Sequence, residues 1–151
     1  MDEDNNLKIS TKGRYALRLL LDLAEHKGEG FISLKEISER QGISKQYLEQ
    51  IVSLLNTSNI LRANRGKQGG YMLAKRPSEY TVAQILRVTE GNLAPVTCLE
   101  DEIMQCDKAG FCKTLSVWRG LNKAISDYLD SVTLQDMLDQ SYEQSIDNWV
   151  I

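Results

Sequence analysis

The chain has 151 residues, of which 42% are hydrophobic and 26% are charged, a composition typical of one folded domain with at most an appended element. No apolar run approaches the ~20 residues that span a bilayer, and the acidic start MDEDNNLKIS lacks the apolar core of a secretory signal. We therefore expect a cytoplasmic protein without a membrane partner, in a reducing setting that disfavours disulfides.

Charge is distributed unevenly along the chain. Residues 5–90 carry 14 Lys and Arg against 8 Asp and Glu, whereas residues 91–151 carry 4 against 10. This asymmetry favours a first part that faces a polyanion such as nucleic acid. A chance distribution of surface charge is the alternative explanation.

The first predicted element is an amphipathic helix over residues 9–27. Ser10 or Thr11 can cap its N-terminus and Gly28 can end it. Its early turns carry three cations: Lys12, Arg14 and Arg18. Cations there oppose the helix dipole, so they indicate either an external anion or ordinary solvated surface charge.

Residues 31–61 have the pattern of a helix-turn-helix. Ser33 and Glu36 form a capping box that begins a short helix, Gly42 ends it, and a second helix runs to about Ser58. In this arrangement the second helix is the recognition helix. The side chains that it presents outward are suited to base edges and phosphates: Ser44, Lys45, Gln46, Glu49 and Gln50.

A β-hairpin is predicted directly after the recognition helix. Short apolar runs at 60–61 and 71–73 flank a turn with three glycines, Gly66, Gly69 and Gly70. The cations near its tip are Arg62, Arg65 and Lys67. Such a hairpin is a wing that contacts backbone phosphates or a minor groove. The predicted fold is therefore mainly α, a winged helix-turn-helix DNA-binding domain with a long C-terminal dimerisation helix.

The C-terminal part contains that long helix. A short helix is predicted at 80–91, where Thr81 caps, and the long one runs from Lys113 to about Asp130 with one apolar stripe. The stripe favours a homodimer on a palindromic DNA operator, while packing onto helix one of the same chain is the alternative. The predicted segments are the DNA-binding domain 7–91, a cysteine-containing loop 92–112, a dimerisation helix 113–133 and a tail 134–151 without an assigned element.

Three stretches, KISTKGRYALRLLLDLA, ISLKEISERQGISKQYLEQIVSLL and RGKQGGYML, closely resemble the Rrf2 family of bacterial transcription regulators. The resemblance covers roughly residues 7–133 and implies a winged helix-turn-helix with a long helix that crosses onto a partner subunit. It implies DNA contacts at Ser44, Glu49, Gln50 and Arg65, with Lys12 and Tyr15 as candidates for backbone contacts. An enzyme is not expected, because a single histidine and no nucleophile motif or phosphate loop leave little for a catalytic site.

All three cysteines, Cys98, Cys106 and Cys112, fall between the short helix and the long helix. Their spacing, Cys-x7-Cys-x5-Cys, is more open than a zinc knuckle and is better suited to a bulkier iron–sulfur cluster. IscR-like and NsrR-like members of the family hold such a cluster on three cysteines in this loop, so the resemblance implies a [2Fe-2S] or [4Fe-4S] cluster here. It predicts a repressor that senses iron–sulfur status, nitric oxide or redox state.

Other functions of the three cysteines are alternatives to cluster binding. CymR-like members lack the triad and act through a protein partner in cysteine and sulfur metabolism, and APVTCLEDE is similar to that branch. Thiol oxidation through a sulfenic acid, or cysteines without a redox role, are further alternatives.

Iron–sulfur clusters normally take four protein ligands. The three cysteines supply only three, and the sequence does not show which group supplies the fourth. IscR-like members use a histidine three residues after the last cysteine, where this chain has Leu115. The candidates are His26, a partner-subunit carboxylate, water, a small thiol, or an acid of the same loop: Glu100, Asp101, Glu102 or Asp107.

Overall fold

The computed structural model describes residues 8–96, Leu99 and residues 113–149. Within these residues, helices dominate and one antiparallel hairpin lies between the third and fourth helix. The elements are α1 (Thr11–Glu25), α2 (Leu34–Gln41), α3 (Lys45–Thr57), β1 (Leu61–Asn64), β2 (Gly70–Leu73), α4 (Val82–Glu90), α5 (Leu115–Ser131) and α6 (Leu134–Trp149). Short 3-10 turns cover Lys27–Glu29 and Pro77–Glu79. No helix in the described residues is both long enough and apolar enough to cross a membrane.

Side-chain caps begin four of the helices at the positions that the sequence predicts. In each, a hydroxyl oxygen accepts a hydrogen bond from the N–H three residues further on, at 3.1–3.2 Å. The capping residues are Ser10, Ser33, Ser44 and Thr81. The end of α1 differs from the prediction, because the helix stops at His26 and Gly28 lies in the following 3-10 turn. Local hydrogen bonds therefore fix where these helices start.

Helices α2 and α3 form the predicted helix-turn-helix. Gly42 occupies the turn with φ +67° and ψ 30°, a left-handed conformation that glycine adopts without strain. Its N–H donates to the carbonyl of Ser38 at 2.9 Å. The Ser38 hydroxyl donates to the carbonyl of Ile43, so the turn is held on both sides of the glycine.

The wing is a two-stranded antiparallel hairpin in which Leu61 pairs with Leu73 and Asn64 pairs with Gly70. Ile32, just before α2, adds a third paired segment through two backbone hydrogen bonds with Tyr71, at 2.8 and 2.9 Å. A Cβ atom at position 70 would lie 2.3 Å from the carbonyl oxygen of Ile32. Gly70 is therefore needed for this close backbone approach, and it lies in β2 rather than in the turn.

One core joins the winged domain to the C-terminal helix. Leu134 is fully buried in the same cluster as the apolar residues of α1, α2 and α3. The Val82 N–H donates to the Val132 carbonyl at 2.8 Å, and the Leu134 N–H donates to the Tyr80 carbonyl at 3.0 Å. The segment for which the sequence analysis assigned no element thus contains α6, which packs against α1.

Helix α5 packs against α4 of its own chain. Leu115 at its start is buried, and near its end Asp130 accepts a hydrogen bond from Arg87 of α4 at 3.2 Å. Two apolar residues of α5 remain exposed, Val117 at 60% and Tyr128 at 68%. The helix therefore packs within its own chain, against α4 rather than against the helix one named as the alternative, and it keeps an uncovered apolar face.

Candidate nucleic-acid interface

Five residues predicted to contact DNA lie at the start of α3 or cap it, and all are exposed: Ser44, Lys45, Gln46, Glu49 and Gln50. The Oγ of Ser44 accepts a hydrogen bond from the Tyr47 N–H at 3.2 Å. Its hydroxyl proton stays available for an external acceptor such as a phosphate. The opposite face of α3 is buried through Leu48, Ile51, Val52 and Leu55. Polar side chains of the kinds that can pair with base edges thus lie on the outward face of a helix whose apolar face is buried.

The predicted wing cations are also exposed. Arg62 lies in β1, while Arg65 and Lys67 lie in the turn between the strands. The turn closes with a hydrogen bond from the Gly69 N–H to the Gly66 carbonyl at 2.9 Å. Ion pairs in the described part of the chain involve other residues. The charge of the wing is therefore available to a polyanion.

The start of α1 is adjacent to α3 through two tyrosines. The ring of Tyr15 meets the ring of Tyr47 edge to face, with centroids 5.7 Å apart and an interplanar angle of 87°. Both rings are half-buried, as is Lys12 one turn earlier. Tyr15 therefore supports α3 from within the protein, in addition to its predicted role at the DNA backbone.

A buried carboxylate that the sequence analysis missed connects α1 to α2. Asp22 is 1% exposed and accepts hydrogen bonds from Arg40 Nε at 3.0 Å, Arg40 Nη2 at 2.7 Å and Gln41 Nε2 at 2.9 Å. Burial raises the pKa of Asp22, but hydrogen bonds from Arg40 and Gln41 and the charge of Arg40 outweigh it, so the pKa lies below its ordinary value. The sequence signal was an acid three residues after Leu19, which places it beside that buried residue on the helix.

The first turn of α1 also contacts the end of α4. Glu90 Oε1 accepts a hydrogen bond from the Ser10 N–H at 3.2 Å and another from its hydroxyl. A Cβ atom at Gly13 would lie 2.3 Å from that carboxylate oxygen. A carboxylate at a helix N-terminus is stabilised by the helix dipole. Because Gly91 follows Glu90, this contact joins the start of α1 to the point where the cysteine-containing loop begins.

Cys98, Cys106 and Cys112 lie outside the described residues, as do the acids of that loop. The flanking residues bear on the fourth ligand. Leu115, where IscR-like members carry a histidine, is 6% exposed as the first residue of α5. His26 Nδ1 lies 2.7 Å from the backbone carbonyl oxygen of Asp22 and 3.7 Å from its Oδ1, so this ring nitrogen is engaged at the end of α1.

Comparison with known proteins identifies the family. Residues 9–140 match the Rrf2 model, described as an iron-dependent transcriptional regulator. The chain belongs to the Rrf2 family of transcriptional regulators. It is 41% identical to the regulator CymR of Bacillus subtilis over 131 residues, covering 87% of this chain and 89% of that protein.

Two solved structures of Rrf2 regulators are similar to this chain. The structure of T. potens IscR matches with a TM-score of 0.72 and 43% identity, over 91% of this chain and 90% of that one. CymR of B. subtilis matches with a TM-score of 0.73 and 38% identity, over 88% and 97%. The expected family and the mainly helical winged fold are thus confirmed. The named relatives are DNA-binding transcriptional regulators rather than enzymes.

Proposed function

We propose that this Rrf2 regulator is a repressor whose DNA affinity is controlled by an iron–sulfur cluster held by Cys98, Cys106 and Cys112. The observation that carries the proposal is the donor set: three thiols fall in the one connection between α4 and α5, and thiolates are ligands that favour such clusters. The family description as iron-dependent and the 43% identity to an IscR support it. A bound cluster would supply a centre that responds to iron supply, nitric oxide or oxidants.

The fourth ligand that we favour is a carboxylate or an exchangeable small molecule. Leucine has no donor atom, so position 115 supplies no side-chain ligand, and His26 could ligate only through Nε2, because its Nδ1 contacts the Asp22 carbonyl. A carboxylate of the same loop, an acid of the partner subunit, or an exchangeable water or small thiol remains. An exchangeable position suits a sensor, because a small molecule reaches the metal there.

Both ends of the cysteine-containing loop are anchored in the described fold, and the end at α4 contacts the start of α1, which carries the predicted DNA contacts Lys12 and Tyr15. Glu90 caps the start of α1 through Ser10, and Leu115 is the buried start of α5. We infer that cluster binding by the loop changes the placement of the first turn of α1 and of α5. Two recognition helices must reach grooves about 34 Å apart, so a small change in placement alters DNA affinity.

The test of the cluster is anaerobic purification followed by absorption spectroscopy and by iron and sulfide analysis. We expect visible absorption and bound iron and sulfide, both lost in Cys112→Ala and retained in the matched control Ile103→Ala from the same loop. A colourless, iron-free protein from the anaerobic preparation would contradict the proposal.

The DNA-reading assignment is tested separately. Arg65→Ala should weaken binding to all duplexes and lower the salt slope by about one, because a phosphate-directed cation is lost. Lys27→Ala, which removes a cation beyond the far end of α1, should leave the slope unchanged. Glu49→Ala should relax sequence preference, and a uniform loss on every sequence would contradict base reading by Glu49.

A homodimer formed through α5 is part of the proposal. Val117 and Tyr128 are separated by about three helical turns and are the large apolar residues of this helix that are exposed, so a second copy can cover both. A dimer measured by light scattering, converted to monomer by Tyr128→Asp and unaffected by Lys123→Asp, is the expected result. A monomeric unsubstituted protein would contradict it.

The second candidate is a CymR-like regulator of cysteine and sulfur metabolism, controlled by a protein partner or by thiol oxidation without a cluster. The 41% identity to CymR of B. subtilis favours it. Partner-dependent DNA binding that survives replacement of all three cysteines by serine would support the partner-controlled form. Binding that is lost on peroxide treatment of the iron-free protein and restored by a reductant would support the thiol-controlled form.

A further inference from the structure

Arg18 connects α1 to the helix-turn-helix through side-chain contacts. Its Nε donates to Oε1 of Gln41 at 3.2 Å, and its Nη2 donates to the backbone carbonyl of Gln41. The guanidinium also lies over the ring of Tyr15, 5.2 Å from the centroid. Although the sequence places Arg18 among cations that could face an anion, two of its five N–H donors are used within the protein.

The contact with Gln41 lies at the turn between α2 and α3, which sets the orientation of α3. Gln41 is the last residue of α2, and only Gly42, Ile43 and the cap residue Ser44 separate it from α3. A carbonyl in the last turn of a helix has no intrahelical partner, and Arg18 supplies one with a charge-assisted donor. The Gln41 amide donates to buried Asp22 at 2.9 Å. The turn is therefore tied to α1 through both Arg18 and Asp22.

The same arginine reaches α3 by a second route. The guanidinium of Arg18 lies over the ring of Tyr15. That ring contacts the ring of Tyr47 edge to face. Tyr47 lies in the first turn of α3, between the exposed residues Gln46 and Glu49. Cation–π and edge-to-face contacts both depend on ring orientation, so together they restrict rotation of this turn.

We propose that Arg18 is a positioning residue for sequence readout, which holds the first turns of α3 in one orientation relative to α1. The inference rests on the proposed base-reading role of α3. Hydrogen-bond readout requires side chains held within about 0.5 Å and 10–20° of their working geometry. Loss of the ties at Gln41 and Tyr15 lets Glu49 and Gln50 approach the bases in several orientations. Discrimination between sequences then falls while general attraction to phosphates persists.

The test compares Arg18→Lys and Arg18→Met with Arg14→Met, which removes the same charge from an exposed position of α1. The side chain of Arg14 donates only to Thr11 in its own helix turn among the hydrogen bonds described. The probes are a duplex selected from a randomised pool by the unsubstituted protein, and a shuffled duplex of the same composition. The measured quantity is the ratio of the two affinities, determined at several salt concentrations.

Both Arg18 variants should lower the affinity ratio roughly five- to tenfold, a part of the discrimination that one base contact provides. Affinity for the shuffled duplex and its salt slope should stay unchanged, and Arg14→Met should keep the full ratio. Arg18→Lys is decisive, because it keeps the charge but cannot reproduce the planar guanidinium contacts. Gln41→Ala should lower the ratio as well, and its effect should not add to that of Arg18→Met.

The inference is overturned if Arg18→Lys keeps the full ratio while Arg18→Met weakens both duplexes and lowers the salt slope by about one. That outcome identifies Arg18 as a phosphate-directed cation. An unchanged ratio in both variants also overturns it. If Arg18→Met does not fold, Arg18→Lys and Gln41→Ala decide the question. An unsubstituted protein that selects no preferred duplex refutes base reading by α3 itself, which separates that failure from the failure of this inference.

Discussion

Replacement of Asp22 by asparagine should destabilise the fold more than any comparable change at the surface. The carboxylate is 1% exposed and receives three hydrogen bonds, two from Arg40 and one from Gln41. Asparagine has nearly the same shape but presents an amide NH2 group to donors, so at least one hydrogen bond is lost and the Arg40 charge loses its buried partner, keeping only the exposed Glu36 at 3.8 Å. Loss of one member of a buried ion pair costs about 3–5 kcal/mol.

The expected cost is smaller than that range, because the Arg40 side chain is 33% exposed and water takes up part of the loss. We expect a decrease of about 2–3 kcal/mol in the free energy of unfolding. For a chain of this size that decrease corresponds to roughly 4–12 °C in Tm. Urea and thermal denaturation at one fixed protein concentration measure both quantities.

The pH dependence gives a second readout. The pKa of Asp22 is lower in the folded protein than in the unfolded chain, so its contribution is complete above the unfolded value of about 3.9. That contribution is lost as the pH falls through the folded pKa. The stability difference between the native protein and Asp22→Asn should therefore narrow below about pH 4.

Asp130→Asn is the matched control, since Asp130 also pairs with an arginine but is 49% exposed, opposite Arg87 at 47%. We expect a change below about 1 kcal/mol there. Equal effects of the two substitutions, or a difference that persists unchanged into acid, would refute the reasoning.

Three further substitutions test other parts of the fold. Leu134→Ala should lower the free energy of unfolding by about 3–5 kcal/mol, because it leaves a cavity at a fully buried site between α6 and α1. The control is Leu54→Ala, at a 36% exposed position. An effect of Leu134→Ala no larger than that of the control would contradict the inclusion of α6 in the core. Tyr80→Phe should cost about 1–2 kcal/mol in denaturation at neutral pH, because the hydroxyl donates to the Ile60 carbonyl and accepts from the Lys75 N–H. Burial raises the pKa of Tyr80, so the stability that its hydroxyl contributes is complete below about pH 10 and is lost as the pH rises through the folded pKa. A Tyr80→Phe cost that stays the same far above that pH would contradict the assignment. Glu90→Gln should weaken the effect of iron loading on DNA affinity if the cap on α1 transmits the state of the loop, and an undiminished effect would exclude that route.

The sequence by itself determined the order of the elements from α1 to α5 and the buried and exposed faces of α3. Hydroxyl caps act on the N–H three residues away, so Ser33 and Ser44 mark helix starts without knowledge of the rest of the fold. Gly42 marks the turn because glycine adopts the left-handed conformation without strain. Helical spacing separates buried Leu48 from exposed Glu49. Such signals depend on a few neighbouring residues, which is why the helix-turn-helix and wing could be predicted.

Only the tertiary structure decided which charges are available to a ligand and which are used within the protein. Arg18 and Arg14 are equivalent cations in the sequence, yet Arg18 is tied to Gln41, 23 positions away. Glu90 accepts a hydrogen bond from Ser10, 80 positions away in the chain. Leu134 lies in the core of the DNA-binding domain, which the sequence predicts to end at Gly91. These contacts depend on how helices pack, and packing is set by the combined shape of the whole apolar core rather than by any local pattern.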